Sequence, residues 1–312
     1  MENIKTYLQQ QGIEFYTNTD IRPYLTMGIG GLVGLISIVS SYSHLKNVLL
    51  LLQANNDKSN YHFILLGGGS NIIFPNLAPE LIVIVNRTSQ IEVEPGNRIR
   101  IDSGVMIRDL MEWNSLHGCD GMDFLAGIPG TVGGAAAVNA GAFGQSISSL
   151  LDQAEIVTES GEIKTVDNSY FKYTYRDSSL KHGNELILRV YLKYTPGNNS
   201  EIKHKVDERI HYRNSNHPWS NFKSAGCFFK NPTIQGEKIP AGRLIENSGL
   251  KGLSSNHLKI SDQHANFVIN QDNASFDDVI NFEKSIVDKV LKEKGVKLER
   301  EVIFITPEGK KY

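Results

Sequence analysis

Cysteine is scarce: Cys119 and Cys227 are the two in 312 residues, 108 positions apart. That excludes a disulfide scaffold and favours a reducing compartment. Neither belongs to a C-x-x-C pair, and the nine His show no H-x-x-x-H pattern, so no metal site is expected. A dominant charge is lacking too. Thirty-two Lys and Arg against 34 Asp and Glu leave −2, too little for a global field that gathers nucleic acid or anionic membrane. An anionic ligand must therefore be held locally. The apolar run from Met27 to Val39 is too short to span a bilayer, and Met1-Glu2-Asn3 lacks the basic region of a signal peptide. A cytoplasmic protein is expected. Hydrophobic residues at 40% and charged residues at 21% fit an ordinary globular chain of one to three domains.

What is present reads as mixed α and β structure. Leu45, Val48, Leu49 and Leu52 predict a helix over 43–54, followed by a strand over 61–66. A second strand is expected over 81–85, and a hairpin over 90–102 turning at Pro95-Gly96. Polar turns are expected at 55–60 and 197–200. Ser275 with Asp278 predicts a helix start, and Gly295 its end. Beyond it, 296–305 reads as one strand with apolar residues on both faces, which makes its carboxylates Glu299 and Glu301 conspicuous.

Two glycine-rich stretches stand out. Gly67-Gly68-Gly69-Ser70-Asn71 follows a predicted strand, and residues without a Cβ would let a pyrophosphate approach consecutive amides. The same glycines also suit a strained turn. No Lys follows them for a Walker loop, and no G-x-G-x-x-G opens a helix. The second stretch is Gly127-Ile128-Pro129-Gly130-Thr131-Val132-Gly133-Gly134-Ala135, continued by Asn139-Ala140-Gly141-Ala142-Phe143-Gly144. It has almost no side-chain volume, so either another element or a ligand fills the space beside it. A helix opening after Pro129-Gly130 would aim its dipole at an anion.

With these motifs in order, the chain resembles the UDP-N-acetylenolpyruvoylglucosamine reductase family. The resemblance runs from Thr26-Met27-Gly28-Ile29-Gly30-Gly31 through both glycine stretches to Tyr175-Arg176-Asp177-Ser178 and Ser224-Ala225-Gly226-Cys227-Phe228-Phe229-Lys230-Asn231-Pro232. It continues through Ala241-Gly242-Arg243-Leu244-Ile245-Glu246 and His264-Ala265-Asn266-Phe267 to Leu298-Glu299-Arg300-Glu301-Val302. It implies a three-domain α+β protein with the FAD-binding fold of the vanillyl-alcohol oxidase type. The implied parts are 1–78 completed by 299–312, then 79–205, with a substrate domain over 206–298. Both glycine motifs are implied to wrap the FAD pyrophosphate, and neither contains a Cys or His for a covalent flavin link. NADPH is the implied co-substrate.

The resemblance also implies residue roles in peptidoglycan precursor synthesis. Arg176 would hold the carboxylate of the enolpyruvyl sugar nucleotide and share the charge that develops after hydride addition. Glu301 would polarise the same group, as a proton-bearing acid or through a water. Cys227 stands where many relatives carry Ser, and its thiol would protonate the carbanion. Without the motif, a Cys beside two Phe reads as an inert core residue, and Arg176 after Phe171, Tyr173 and Tyr175 as a snorkelling side chain. Tyr175, Lys230 and Asn231 would touch substrate. Fifty residues lie between Arg176 and Cys227, which matches the shorter branch lacking a tyrosine-bearing loop. Tyr24-Leu25-Thr26-Met27 replaces the usual Thr-Thr pair. A small-molecule partner and a monomer are expected, with Cys119, His217 and Trp219 structural. A different flavin oxidase of the same fold, or a binding module without turnover, would not need the Arg176, Cys227 and Glu301 trio.

Overall fold

The computed structural model describes residues 1–55, 61–218 and 223–311; Trp219 and most of the 55–60 turn lie outside them. Three main sheets organise the chain. The first has strand order Phe15–Asp20, Leu32–Val39, Leu77–Asn86, His62–Leu66. Its last two strands run parallel, pairing His62 with Leu81 through Leu66 with Val85. Leu81 to Val85 are all fully buried, and a continuous apolar run suits a strand covered on both faces. The second sheet is antiparallel, in the order Ile163–Asp167, Leu151–Val157, Leu186–Lys193, Arg98–Asp102, Ile91–Glu94. It contains the expected hairpin, with Asn97 and Gly96 at positive φ in its turn.

The chain groups into two compact units. One takes Met1–Thr17, Leu35–Gly68 and Glu80–Tyr212; the other takes Asn18–Gly34, Gly69–Pro79 and Arg213–Tyr312. In the first, the Tyr42–Asn55 helix buries Leu45, Val48, Leu49 and Leu52 in one cluster with Ile82 and Ile84 of the first sheet and Val157 and Leu188 of the second. One helix thus gives both sheets a shared core. At about 25 cal/mol per Å² of apolar area, the loss of any of these leucines removes roughly 2–3 kcal/mol before cavity terms.

The second unit holds the third sheet, Lys223–Cys227, Phe267–Asn270, Leu258–Ile260 and Ser254–Ser255. The Phe276–Lys294 helix packs there through Val279, Phe282, Ile286 and Val290. It starts at the expected capping box, in which Ser275 and Asp278 each bond the other's backbone, and ends at Gly295 with φ +68°.

One expectation changes, and one helix appears that was not expected from the sequence. The continuous strand over 296–305 is absent: ladder pairing is confined to Ile303–Phe304, parallel to Ile72–Ile73, with single bridges at Arg300 and Ile305. Leu298 and Val302 are buried without pairing, so the pattern reported burial rather than a ladder. A helix over Asn199–Asn216 gave little apolar signal because it buries few side chains, Ile202, Val206 and Arg213 among them. Lys205 and Arg209 instead tie it to Asp120 and Asp123, at 2.6 and 2.9 Å.

Candidate active site

The glycines of the two loops have different reasons to lack a side chain. A Cβ on Gly67 would stand 2.3 Å from Thr131 Oγ1, and one on Gly68 2.6 Å from the Gly130 Cα, so the loops touch through their backbones. A Cβ on Gly133 would lie 2.5 Å from that of Ser103. For these positions the space is filled by the protein itself. Gly134 differs: it is exposed, and within 4 Å its Cβ would meet only Thr131 Oγ1, at 3.4 Å, among the described residues. Gly127 and Gly130 adopt φ of +75° and +115°, which side chains oppose.

The Val132–Ala137 helix opens after Thr131, whose hydroxyl accepts from the Gly134 amide at 3.3 Å. Among the described residues, the amides of Gly68, Gly127 and Gly130 meet no protein acceptor. The outcome is a side-chain-poor region with those backbone donors unclaimed among the described residues. A phosphate-bearing cofactor fits such a donor set, and neither loop holds a Cys or His. In the second unit, Gly69 has φ +61° and its carbonyl accepts from the Thr26 amide at 3.0 Å. A side chain there would strike the Tyr24 carbonyl.

The far end of the Val132–Ala137 helix carries Arg176. Helix carbonyls at a C-terminus need donors. Here Tyr173 Oη donates to Ala136 O at 2.9 Å, and Ser178 Oγ donates to Ala137 O at 2.5 Å. Asn139 Nδ2 donates to Thr174 O at 2.7 Å. Thr174 and Asp177 exchange backbone hydrogen bonds, which puts Tyr175 and Arg176 at the tip of a tight turn. Arg176 holds φ +57°, unfavourable for a residue with a Cβ and a frequent mark of functional sites. Its guanidinium lies 5.8 Å from the ring centre of Tyr175, which is 42% exposed. Six helical residues, ~9 Å, therefore join the glycine-rich start to the Arg176 turn.

Cys227 and Glu301 come together in the second unit. Between Ser224↔Ile269 and Cys227↔Phe267 the ladder gains a residue, a bulge with Gly226 at φ +79°. A bulge re-aims the side chain that follows. The next residues pair with the carboxylate-bearing segment: Glu301 N donates to Phe228 O and Lys230 N to Glu299 O, both at 2.8 Å. Cys227 and Glu301 are both half-buried.

Three residues outside the expected trio hold this arrangement. Asn266, 2% exposed, takes the Phe229 amide on Oδ1 at 3.0 Å and gives Nδ2 to the Phe229 carbonyl at 2.8 Å. The Phe228 amide donates to its carbonyl at 2.8 Å. Asn71 donates Nδ2 to the Glu301 carbonyl at 3.3 Å. Thr26, from the stretch departing from the Thr-Thr pair, donates to Ser224 O at 2.7 Å. Asn266 and Thr26 stand in stretches singled out in the sequence, which hints at importance without revealing what they bond.

The expected substrate contacts fare unevenly. Lys230 Nζ lies 3.9 Å from Glu299, which is 77% exposed. Asn231 Oδ1 accepts from the Ala241 amide at 2.9 Å, a structural tie at the start of the Ala241–Glu246 helix. Cys119 is buried in the core, and burial pushes its thiol up to about 11. His217 stacks on Phe267 at 5.3 Å; burial, then His264 and Arg213, lowers it to about 4.

Comparison with known proteins bears on the family and the fold. Residues 36–167 match an FAD binding domain, and 217–305 match the C-terminal domain of UDP-N-acetylenolpyruvoylglucosamine reductase. The reductase of Caldanaerobacter subterraneus is 32% identical, with 94% of each chain covered. That of Fusobacterium nucleatum is 31% identical over 94% of this chain and 100% of its own. The solved reductase of Thermus caldophilus superposes with a TM-score of 0.74 at 28% identity, covering 94% of this chain and 98% of its own. No helix among the described residues is long and apolar enough to cross a membrane. Near-complete coverage at this identity establishes that the chain belongs to the UDP-N-acetylenolpyruvoylglucosamine reductase family.

Proposed function

We propose that Arg176, Cys227 and Glu301 carry out the charge and proton handling of this chain's reaction, the NADPH-dependent reduction of UDP-N-acetylglucosamine enolpyruvate to UDP-N-acetylmuramate. FAD, when bound, would supply the hydride chemistry that links NADPH to the vinyl CH₂ of the enolpyruvyl group. Gly67, Gly68, Gly69, Ser70 and Asn71, with Gly127 to Thr131 and Gly133 to Ala135, would line its diphosphate. Amides such as those of Gly68, Gly127 and Gly130 would donate to it, whereas Pro129 has no N–H and Gly133, Gly134 and Ala135 already bond Ser103 O, Thr131 Oγ1 and Thr131 O. Because Gly67, Gly68 and Gly133 are required by the protein's own packing, the direct contacts fall to the amides and to the open side of Gly134.

Hydride addition drives an electron pair into the carboxylate, giving an enediolate. Arg176 pairs with that charge, and Glu301 polarises the same group, worth several kcal/mol in comparable sites. The Cys227 S–H bond then breaks, a C–H bond forms at the carbon beside the carboxylate, and the thiolate regains its proton from water. Tyr175 and Lys230 would orient the sugar nucleotide, and Asn231 has its Nδ2 available for the same task, its Oδ1 being taken by Ala241. We further read the chain as a cytoplasmic monomer of the shorter branch, divided at 1–78, 79–205 and 206–298.

The observation that carries this reading is the pairing of the Cys227-Phe228-Phe229 segment with Glu299 to Glu301, behind a bulge at Gly226. Its test is Cys227→Ala in stopped flow. FAD binding and reduction by NADPH should stay nearly intact, because neither moves a proton through the thiol. Reoxidation by the enolpyruvyl sugar nucleotide should fall by about 10²- to 10⁴-fold, with partial activity in Cys227→Ser. Wild-type reoxidation in the Ala variant would demote Cys227 to a packing residue.

A further inference from the structure

Arg176 stands where a chain ordinarily places glycine. Thr174 and Asp177 close a four-residue turn, the Asp177 amide donating to the Thr174 carbonyl at 3.3 Å and the Thr174 amide to the Asp177 carbonyl at 3.1 Å. Tyr175 and Arg176 are its central pair, and the second of them, Arg176, has φ +57°. A turn that asks for positive φ at that place usually takes Gly or Asn. A residue with a Cβ persists there only where its surroundings over-determine it.

The surroundings do so from two directions. Ser178, which is buried, donates Oγ to the Ala137 carbonyl at 2.5 Å, tying the end of the turn to the Val132–Ala137 helix. The same Oγ accepts from the Lys181 amide at 3.3 Å. The residue that anchors the turn therefore also places the lysine. Lys181 folds back over the turn, and its Nζ donates to the Arg176 carbonyl at 3.2 Å and lies 3.8 Å from Asp177 Oδ1. Its side chain is only 13% exposed, whereas Lys193 and Lys203, in surface ion pairs, stay 65% and 66% exposed. Lysine withdraws that far from water only at a cost in hydration and rotamer freedom. What it gains is a charge-assisted hydrogen bond, about twice as strong as a neutral one. The bond falls on the peptide that follows Arg176. With that oxygen held, the peptide cannot rotate freely, and the Cα–Cβ bond of Arg176 keeps one direction.

We propose that Lys181 is a positioning residue for Arg176, holding it in the left-handed conformation that aims its guanidinium at the substrate carboxylate. The proposal rests on the reading of Arg176 as the group that pairs with that carboxylate. Lys181 need touch neither substrate nor cofactor.

The test is Lys181→Met in the FAD-loaded enzyme, a change that keeps the apolar stem and removes the donor. Two ligands are titrated: UDP-N-acetylmuramate, which carries the carboxylate, and UDP-N-acetylglucosamine, which lacks it. The first should bind about 10- to 100-fold more weakly, as for the loss of one well-placed charged contact, and the second within about twofold of wild type. In stopped flow, flavin reduction by NADPH should be unchanged. Reoxidation by the enolpyruvyl sugar nucleotide should fall by about 10- to 100-fold, the size expected when a charged group is displaced by about an ångström. Lys181→Arg, which can still donate to the carbonyl, should recover most of both losses. A general loosening of the fold would instead weaken both ligands alike and ignore the restored donor. Wild-type binding and reoxidation in Lys181→Met, equal weakening of the two ligands, or an Arg variant as impaired as the Met variant overturns the proposal. Arg176→Ala, run alongside, separates the two failures. If it does not selectively weaken the carboxylate-bearing ligand, the reading of Arg176 itself fails; if it does and Lys181→Met does not, only the role of Lys181 falls.

Discussion

Gly133 and Gly134 are adjacent in the same first helical turn, and the structure predicts opposite consequences when each gains a methyl group. At Gly134 the new Cβ would meet only Thr131 Oγ1, at the ordinary contact distance of 3.4 Å. Alanine is preferred over glycine in a helix by about 1 kcal/mol, so the apoprotein should gain up to that much, a rise of roughly 2 °C in Tm for a chain of this size. At Gly133 the Cβ would lie 2.5 Å from that of Ser103 and 2.8 Å from its carbonyl, both in a buried place. Overpacking costs about 1–3 kcal/mol, enough to outweigh the helix gain and lower Tm. FAD affinity should move the other way in Gly134→Ala. If the open face of Gly134 receives the diphosphate, the methyl group displaces a hydrogen-bonded anion and costs about 1.5–3 kcal/mol, or 10- to 100-fold in Kd. Thermal unfolding of the apoproteins and fluorescence titration with FAD give both quantities. A Gly134→Ala protein that is more stable and binds FAD as tightly as wild type would remove the helix start from the cradle.

Other consequences are open to test. Asn266→Ala leaves the amide and carbonyl of Phe229 buried without their side-chain partner, so denaturant unfolding should show a loss of about 2–4 kcal/mol; a loss below about 0.5 would refute the clamp. His217 is held near 4, below its ordinary 6.5, so the unfolded chain takes up the proton first as the solution is acidified. Stability should therefore be fully present above about pH 6.5 and decline towards pH 4, and His217→Gln should flatten that slope in a pH series of denaturation midpoints. Equal slopes for both proteins would assign the acid lability elsewhere. Acid precipitation should leave the flavin in the supernatant, since neither glycine loop holds a Cys or His to bond it; a yellow pellet would contradict this.

Much of the fold was legible because its signals are local. Leu45, Val48, Leu49 and Leu52 announce the helix that joins two sheets, and Ser275 with Asp278 announces a capping box, because a helix is closed by bonds between residues three and four apart. The ordered motifs likewise named the family, while the roles of Cys227, Arg176 and Glu301 remain a proposal. Ladder pairing was not legible. The apolar pattern of 296–305 reports which residues are buried, whereas a strand exists only where a neighbour offers an edge, and here Ile72–Ile73 and Phe229 offer it to a few residues. The purposes of single side chains were hidden for the same reason. Nothing in the sequence says that Asn266 grips Phe229, that Lys181 grips Arg176, or that Gly68 and Gly134 are glycine for opposite reasons, one packed against protein and one open. Each depends on distances of about 3 Å between residues up to tens of positions apart, and such distances arise only once the chain has folded.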